Sequence, residues 1–80
     1  MGEATVKFKK EEVLDFIDLL INFWRSHRDK YAEKENIDLK EVYKEGSFDN
    51  LPLEVLKGIC YIDAYQSMRA SLFGDILEEK

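Results

Sequence analysis

Residues 51–77 read LPLEVLKGICYIDAYQSMRASLFGDIL, and this stretch decides the fold. Pro52 suits the first turn of a helix, with Asn50 or Asp49 as the cap before it. From there to about Leu77 the spacing predicts one helix. Val55, Ile59, Ile62, Phe73 and Leu77 fall on one side of it; Tyr61, Tyr65, Met68, Leu72 and Ile76 fall on another. A helix that is apolar nearly all the way round belongs at the centre of an assembly. At roughly 100–200 residues per domain, a chain of 80 residues is one domain. Few elements are left to cover such a helix.

A second pattern runs along the same stretch. Cys60, Ala64, Ser67, Ser71 and Gly74 recur at spacings of 4, 3, 4 and 3. That is a heptad with a small residue at every core position. Small residues admit large aromatic knobs or let a second helix approach closely. Three occupants of this seam are open: Phe16, Phe23 and Trp24 of the same chain, the same helix of a second copy, or a small molecule in a groove. Cys60 lies in an apolar run and is expected as a buried small hydrophobe.

On the N-terminal side, residues 10–35 contain no Gly or Pro and read as one long helix. Val13, Ile17, Leu20, Trp24 and Tyr31 form a stripe at about 100° per residue. Phe16 and Phe23 flank it on one side, Leu14 and Ile21 on the other. The apolar arc covers about half the circumference, more than one neighbouring helix buries. Glu11 and Glu12 open this helix, and Arg25, Arg28, Lys30 and Lys34 close it, which complements the helix dipole. Residues 36–46, NIDLKEVYKEG, read as a short helix: Asp38 and Glu41 have capping-box spacing, and Gly46 fits the position past its end. Residues 1–9 show no clear period and are expected as a loose arm, or as a short extended piece anchored by Val6 and Phe8, leaving residues 10–80 as the domain. The fold expected is all-α: a long antiparallel helical hairpin with a short connecting helix. Two hairpins would complete a four-helix-bundle-like homodimer.

Composition narrows the function classes. The net charge of −5 argues against a phosphate-binding surface. One Cys excludes an internal disulfide and any Cys-based zinc site within one chain. The apolar runs are too broken by charge to span a bilayer, and no apolar signal core opens the chain. A cytoplasmic location is therefore expected. Five Phe, four Tyr and one Trp are a large apolar load for so short a chain. Each aromatic buries about 150–250 Å², while a lone core of this size yields only a few kcal/mol. Part of that surface is expected to meet another chain.

Three groups of residues carry candidate chemistry. Asp63 is the only charge between Lys57 and Arg69, and a buried carboxylate must be paired. Arg25, Arg28 or His27 of the antiparallel first helix is the expected partner, in a contact that fixes helix register. Alternatively, Asp63 with Tyr61, Tyr65, His27 or Arg28 binds a small molecule or a metal. His27 has no second ligand or nucleophile near it in sequence and reads as a histidine making one hydrogen bond. Arg25, His27, Arg28 and Lys30 lie beside Trp24 and Tyr31, a basic and aromatic patch of the kind that touches nucleic acid. Asp29 and Glu33 interrupt that patch, which favours a solvated face.

Two short stretches resemble known families. Glu12 and Asp15, at Glu-x-x-Asp spacing, resemble half of the metal motif of the all-α nucleotide pyrophosphohydrolases. That family holds magnesium with a second acidic pair, and Glu54 and Asp63 are too far apart to supply it. LPLEVLKGI, residues 51–59, resembles the opening of an F-box, but nothing after it continues the match. With no catalytic motif, no metal spacing and no cofactor loop, the expected function is non-enzymatic. It is a protein–protein interaction or regulatory module that acts by helix packing and self-association. The other function classes open to the sequence are the Asp63-centred ligand or metal binder and a nucleic-acid-associated protein.

Overall fold

The computed structural model describes residues 9–79, so Val6 and Phe8 lie outside the described residues. Three helices, α1 (Lys10–Lys34), α2 (Leu39–Glu45) and α3 (Leu53–Phe73), account for its secondary structure, and no strand occurs among the described residues. Helix α1 starts after Lys9, whose backbone is extended and whose side chain makes no cap, leaving Glu11 and Glu12 to complement the dipole. It ends in a Schellman turn: Asn36 takes a left-handed φ of 56°, Asn36 N–H donates to Glu33 O, and Ile37 N–H donates to Ala32 O. Asp38 caps α2 by accepting from Lys40 N–H at 3.0 Å, and Gly46 follows it with φ of 69°.

Helix α3 departs from expectation at both ends. Pro52 itself stands at the cap, and no Asn50 or Asp49 side chain serves there. At the other end the helix stops at Phe73, not near Leu77. Gly74 adopts φ of 85°, a left-handed turn that only Gly makes without strain, and donates to Ala70 O at 2.9 Å. Residues 75–79 then leave the helix axis.

Helices α1 and α3 form the antiparallel hairpin. Asp18 meets Arg69, Trp24 meets Tyr61, and Arg28 meets Gly58, so position rises along one helix as it falls along the other. Ile17, Ile21 and Ala32 of α1 face Val55 and Ile62 of α3, and these five apolar side chains are the buried core among the described residues. The helices approach closely at Gly58. A Cβ built there would lie 2.9 Å from the Arg28 Cβ and 3.2 Å from its Cα.

Candidate functional site

So small a core leaves large apolar side chains outside. On α1, Phe16, Leu19 and Phe23 recur at spacings of 3 and 4 and are exposed. On α3, Tyr61, Met68 and Leu72 are exposed, with Tyr65 half-buried among them. The two stripes join through an aromatic bridge. Trp24 stacks on Tyr61 with centroids 4.3 Å apart and planes 14° from parallel, Phe23 meets Trp24 edge-on at 5.2 Å, and Tyr61 stacks toward Tyr65 at 6.2 Å. Lys57 Nζ sits 5.9 Å over the Trp24 ring, a cation at the rim. Tyr61, Tyr65, Met68 and Leu72 thus form one apolar stripe of α3 that meets α1 through Trp24 and Phe23.

The small-residue seam lies elsewhere on α3. Cys60, Ala64, Ser67 and Ser71 are exposed, and Gly74 stands beyond the helix as its terminator. Phe16 and Phe23 do not fill the seam, because they project from α1 into the open, and Trp24 stacks on Tyr61 instead. Cys60 is accordingly an exposed thiol, not a buried one. Cys60 and Ser67 line one wall of an apolar groove of about 680 Å³, which Tyr43 and Phe48 flank and Ile76 borders. Ile76 lies outside α3 and belongs to this groove, not to the Tyr61–Leu72 stripe.

The expected pairing of Asp63 does not form. Ile62 faces α1, and Asp63, a further ~100° round the helix, is exposed on the groove side. The register contact is instead Arg69 to Asp18, with Nε 2.7 Å from Oδ1. That hydrogen bond raises the Arg69 pKa against the opposing effect of burial. Each residue named as a partner for Asp63 is engaged elsewhere. His27 Nε2 lies 2.7 Å from the Glu54 carboxylate, making one hydrogen bond as expected. Arg28, buried, donates to Asp29 at 2.9 Å and to the Tyr43 hydroxyl at 3.2 Å, and pairs with Glu79 at 2.9 Å. Burial works against its charge, but these hydrogen bonds outweigh it and hold its pKa above the ordinary arginine value. Arg25 donates through Nη2 to the Leu77 carbonyl, and its Nε lies 3.3 Å from Glu79.

The sequence reading missed Asp18, Arg69, Gln66 and Glu79. One signal for the first pair was present. In an antiparallel hairpin with a short connector, Asp18 near the start of α1 lies level with the end of α3, where Arg69 sits. Glu12 and Asp15 are exposed, and no group of three His, Cys, Asp or Glu among the described residues is placed to hold a metal. No helix among the described residues is long and apolar enough to cross a membrane. Comparison with protein-family models, with curated proteins and with solved structures finds no match for this chain.

Proposed function

We propose that this chain is a non-enzymatic helix-pairing module, in which two hairpins bury the Phe16–Leu19–Phe23 and Tyr61–Met68–Leu72 face against each other in a four-helix bundle. The observation that carries this is the continuity of that face across the Trp24–Tyr61 stack. Its six outer side chains are 40–64% exposed. At roughly 100 Å² each, they present roughly 600 Å² per chain, at or above the largest patch that a typical monomer exposes. Two such faces bury roughly 1,200 Å², the lower bound for a stable interface. The spacings of 3 and 4 on both helices are those of bundle seams, and a two-fold axis sets α1 against α3 in both directions. The five buried apolar side chains among the described residues are a thin core, and pairing supplies a second layer to it.

The test is an isotope-filtered nuclear Overhauser experiment on a mixture of labelled and unlabelled chain. Pairing gives intermolecular contacts between the Phe16 or Phe23 ring and the Met68 or Leu72 methyls. Intermolecular contacts confined to Ala64 and Cys60 would move the interface to the seam, and none at all would leave the face for a different protein. The groove beside Asp63 is the one observation that favours a small-molecule site, since its volume falls in the usual ligand range. His27, Arg28, Tyr61 and Tyr65 are not among the residues that line it. A nucleic-acid role has the least support, because Arg25 and Arg28 are already paired with Glu79.

A further inference from the structure

Residues 75–79 are held by the hairpin much as a receptor holds a peptide. The Gln66 carboxamide makes two bonds to one residue: Nε2 donates to the Leu77 carbonyl at 2.7 Å, and Oε1 accepts from the Leu77 N–H at 2.8 Å. The N–H and C=O of a residue turn the same way only in extended backbone, as they do in a β-ladder. This pair therefore reads backbone conformation, not side-chain identity. Arginines read charge on either side of it. Arg69 donates to the Asp75 carboxylate and, at 3.2 Å, to the Asp75 carbonyl. Arg28 and Arg25 meet the Glu79 carboxylate at 2.9 and 3.3 Å. The arginine side chains are only 7–14% exposed, and apart from this segment Arg69 keeps Asp18 and Arg28 keeps Asp29 and Tyr43 as acceptors.

The present occupant is a weak one. Ile76 is 56% exposed, and the Asp75 and Glu79 side chains are more than half exposed. Hydrogen bonds and half-exposed ion pairs each contribute little net stability, because water replaces them at small cost. Arg25 Nε is buried and, despite its proximity to Glu79, makes no hydrogen bond. One donor of the site is thus left over. Ile76 also borders the 680 Å³ groove along Gln66, Ser67 and Ala70 without filling it. A larger side chain at that position would bury surface that Ile76 leaves open.

We propose that Gln66, Arg25, Arg28 and Arg69 form a receptor strip for an extended acidic peptide of a partner protein, and that residues 75–79 are its resident occupant. The preferred peptide carries an acid, then a large aromatic residue, then a residue read only by its backbone, with a second acid two positions later. Its aromatic side chain enters the groove, and its acids take the places of Asp75 and Glu79. Arg25 stands about 200° round α1 from Phe23, so the strip and the pairing face lie on opposite sides of that helix. The proposal therefore does not rest on self-association.

The experiment uses the full chain and a fluorescein-labelled peptide, Asp-Trp-Leu-Glu-Glu, followed by anisotropy. One protein is unmodified. The other carries Asp75→Ala, Leu77→Pro and Glu79→Ala, which remove the two acids and the N–H that Gln66 accepts. The vacated chain is expected to keep its helical circular dichroism and bind at least ~10-fold tighter than the unmodified chain, whose own segment competes at high effective concentration. Gln66→Ala in the vacated background weakens binding several-fold, and a peptide with Lys in place of its acids does not bind. On the unmodified chain, saturating peptide exposes the Leu77 amide to rapid hydrogen exchange. A vacated chain that stays helical but does not bind at ~1 mM peptide overturns the proposal, as does equal binding by the two chains. Loss of helical signal on vacating the strip also overturns it, by making residues 75–79 part of the fold. Binding that leaves the Leu77 amide protected places the peptide elsewhere and has the same consequence.

Discussion

Replacing Gly58 by Ala sets helix propensity against helix packing, because the two act in opposite directions at this residue. Gly58 lies inside α3, where Ala is favoured over Gly by about 1 kcal/mol. On propensity alone the substitution stabilises. The added Cβ, however, would stand 2.9, 3.2 and 3.3 Å from the Arg28 Cβ, Cα and N. Ordinary contacts between carbons run at about 3.5–4.0 Å, so the helices must separate by roughly 0.5–1 Å at this crossing. Two of the three atoms belong to backbone and cannot swing aside. Separation also thins the packing of Ile21, Val55 and Ile62 around the crossing, and a gap of that size forfeits about a quarter to a half of each contact. Overpacking of this kind costs about 1–3 kcal/mol. With two backbone atoms in the clash the upper half of that range applies, so the net loss is about 1–2 kcal/mol. For a chain of this length the midpoint of thermal unfolding then falls by about 5–15 °C. The assay is a thermal melt followed by circular dichroism at one fixed protein concentration, with Ser26→Ala on the exposed side of α1 as the propensity control. A Gly58→Ala chain as stable as the parent, or more stable, would refute the close approach.

The other expectations concern the side chains that set register and surface. Asp18→Asn lowers the melting midpoint by several degrees because Arg69 loses its charged acceptor, whereas Asp63→Asn leaves it unchanged; the reverse ranking in the same melts would restore the pairing that the structure rejects. Cys60, exposed on the seam, reacts with a thiol reagent in the native chain within about tenfold of its rate in denaturant, and stronger protection would show the seam to be covered. Phe23→Glu combined with Met68→Glu keeps the helical signal but yields single chains in sedimentation velocity, since each buries a charge in the proposed face; a variant that still pairs would place the contact elsewhere.

Local signals were legible where a residue's own chemistry decides the backbone. The unbroken run from Lys10, the Asp38 cap and Gly46 past α2 all fall where their residue types predict. Gly74 was harder, because two patterns compete there. Ile76 and Leu77 continue the apolar spacing of α3, and Gly74 continues the small-residue seam, yet its freedom at positive φ ends the helix. Periodicity also shows that an arc is apolar without showing which part meets the chain itself. Phe16 and Phe23 belong to the same half-apolar arc as Ile17 and Ile21, and only the angle at which α3 lies decides that the isoleucines are buried and the phenylalanines are not. Asp63 was misplaced for a related reason. A lone charge in an apolar run looks buried only if the whole run is, and here the groove side of α3 is open. Gln66 gave no signal at all, since its role depends on a backbone segment 11 residues away.

If the Phe16–Leu19–Phe23 and Tyr61–Met68–Leu72 face pairs with its copy, the solution mass of the unmodified chain shows it. Sedimentation equilibrium across a dilution series is the measurement. Pairing gives the mass of two 9.4 kDa chains, persisting on dilution into the micromolar range. A single-chain mass at about 100 µM, with the full helical signal, would contradict it.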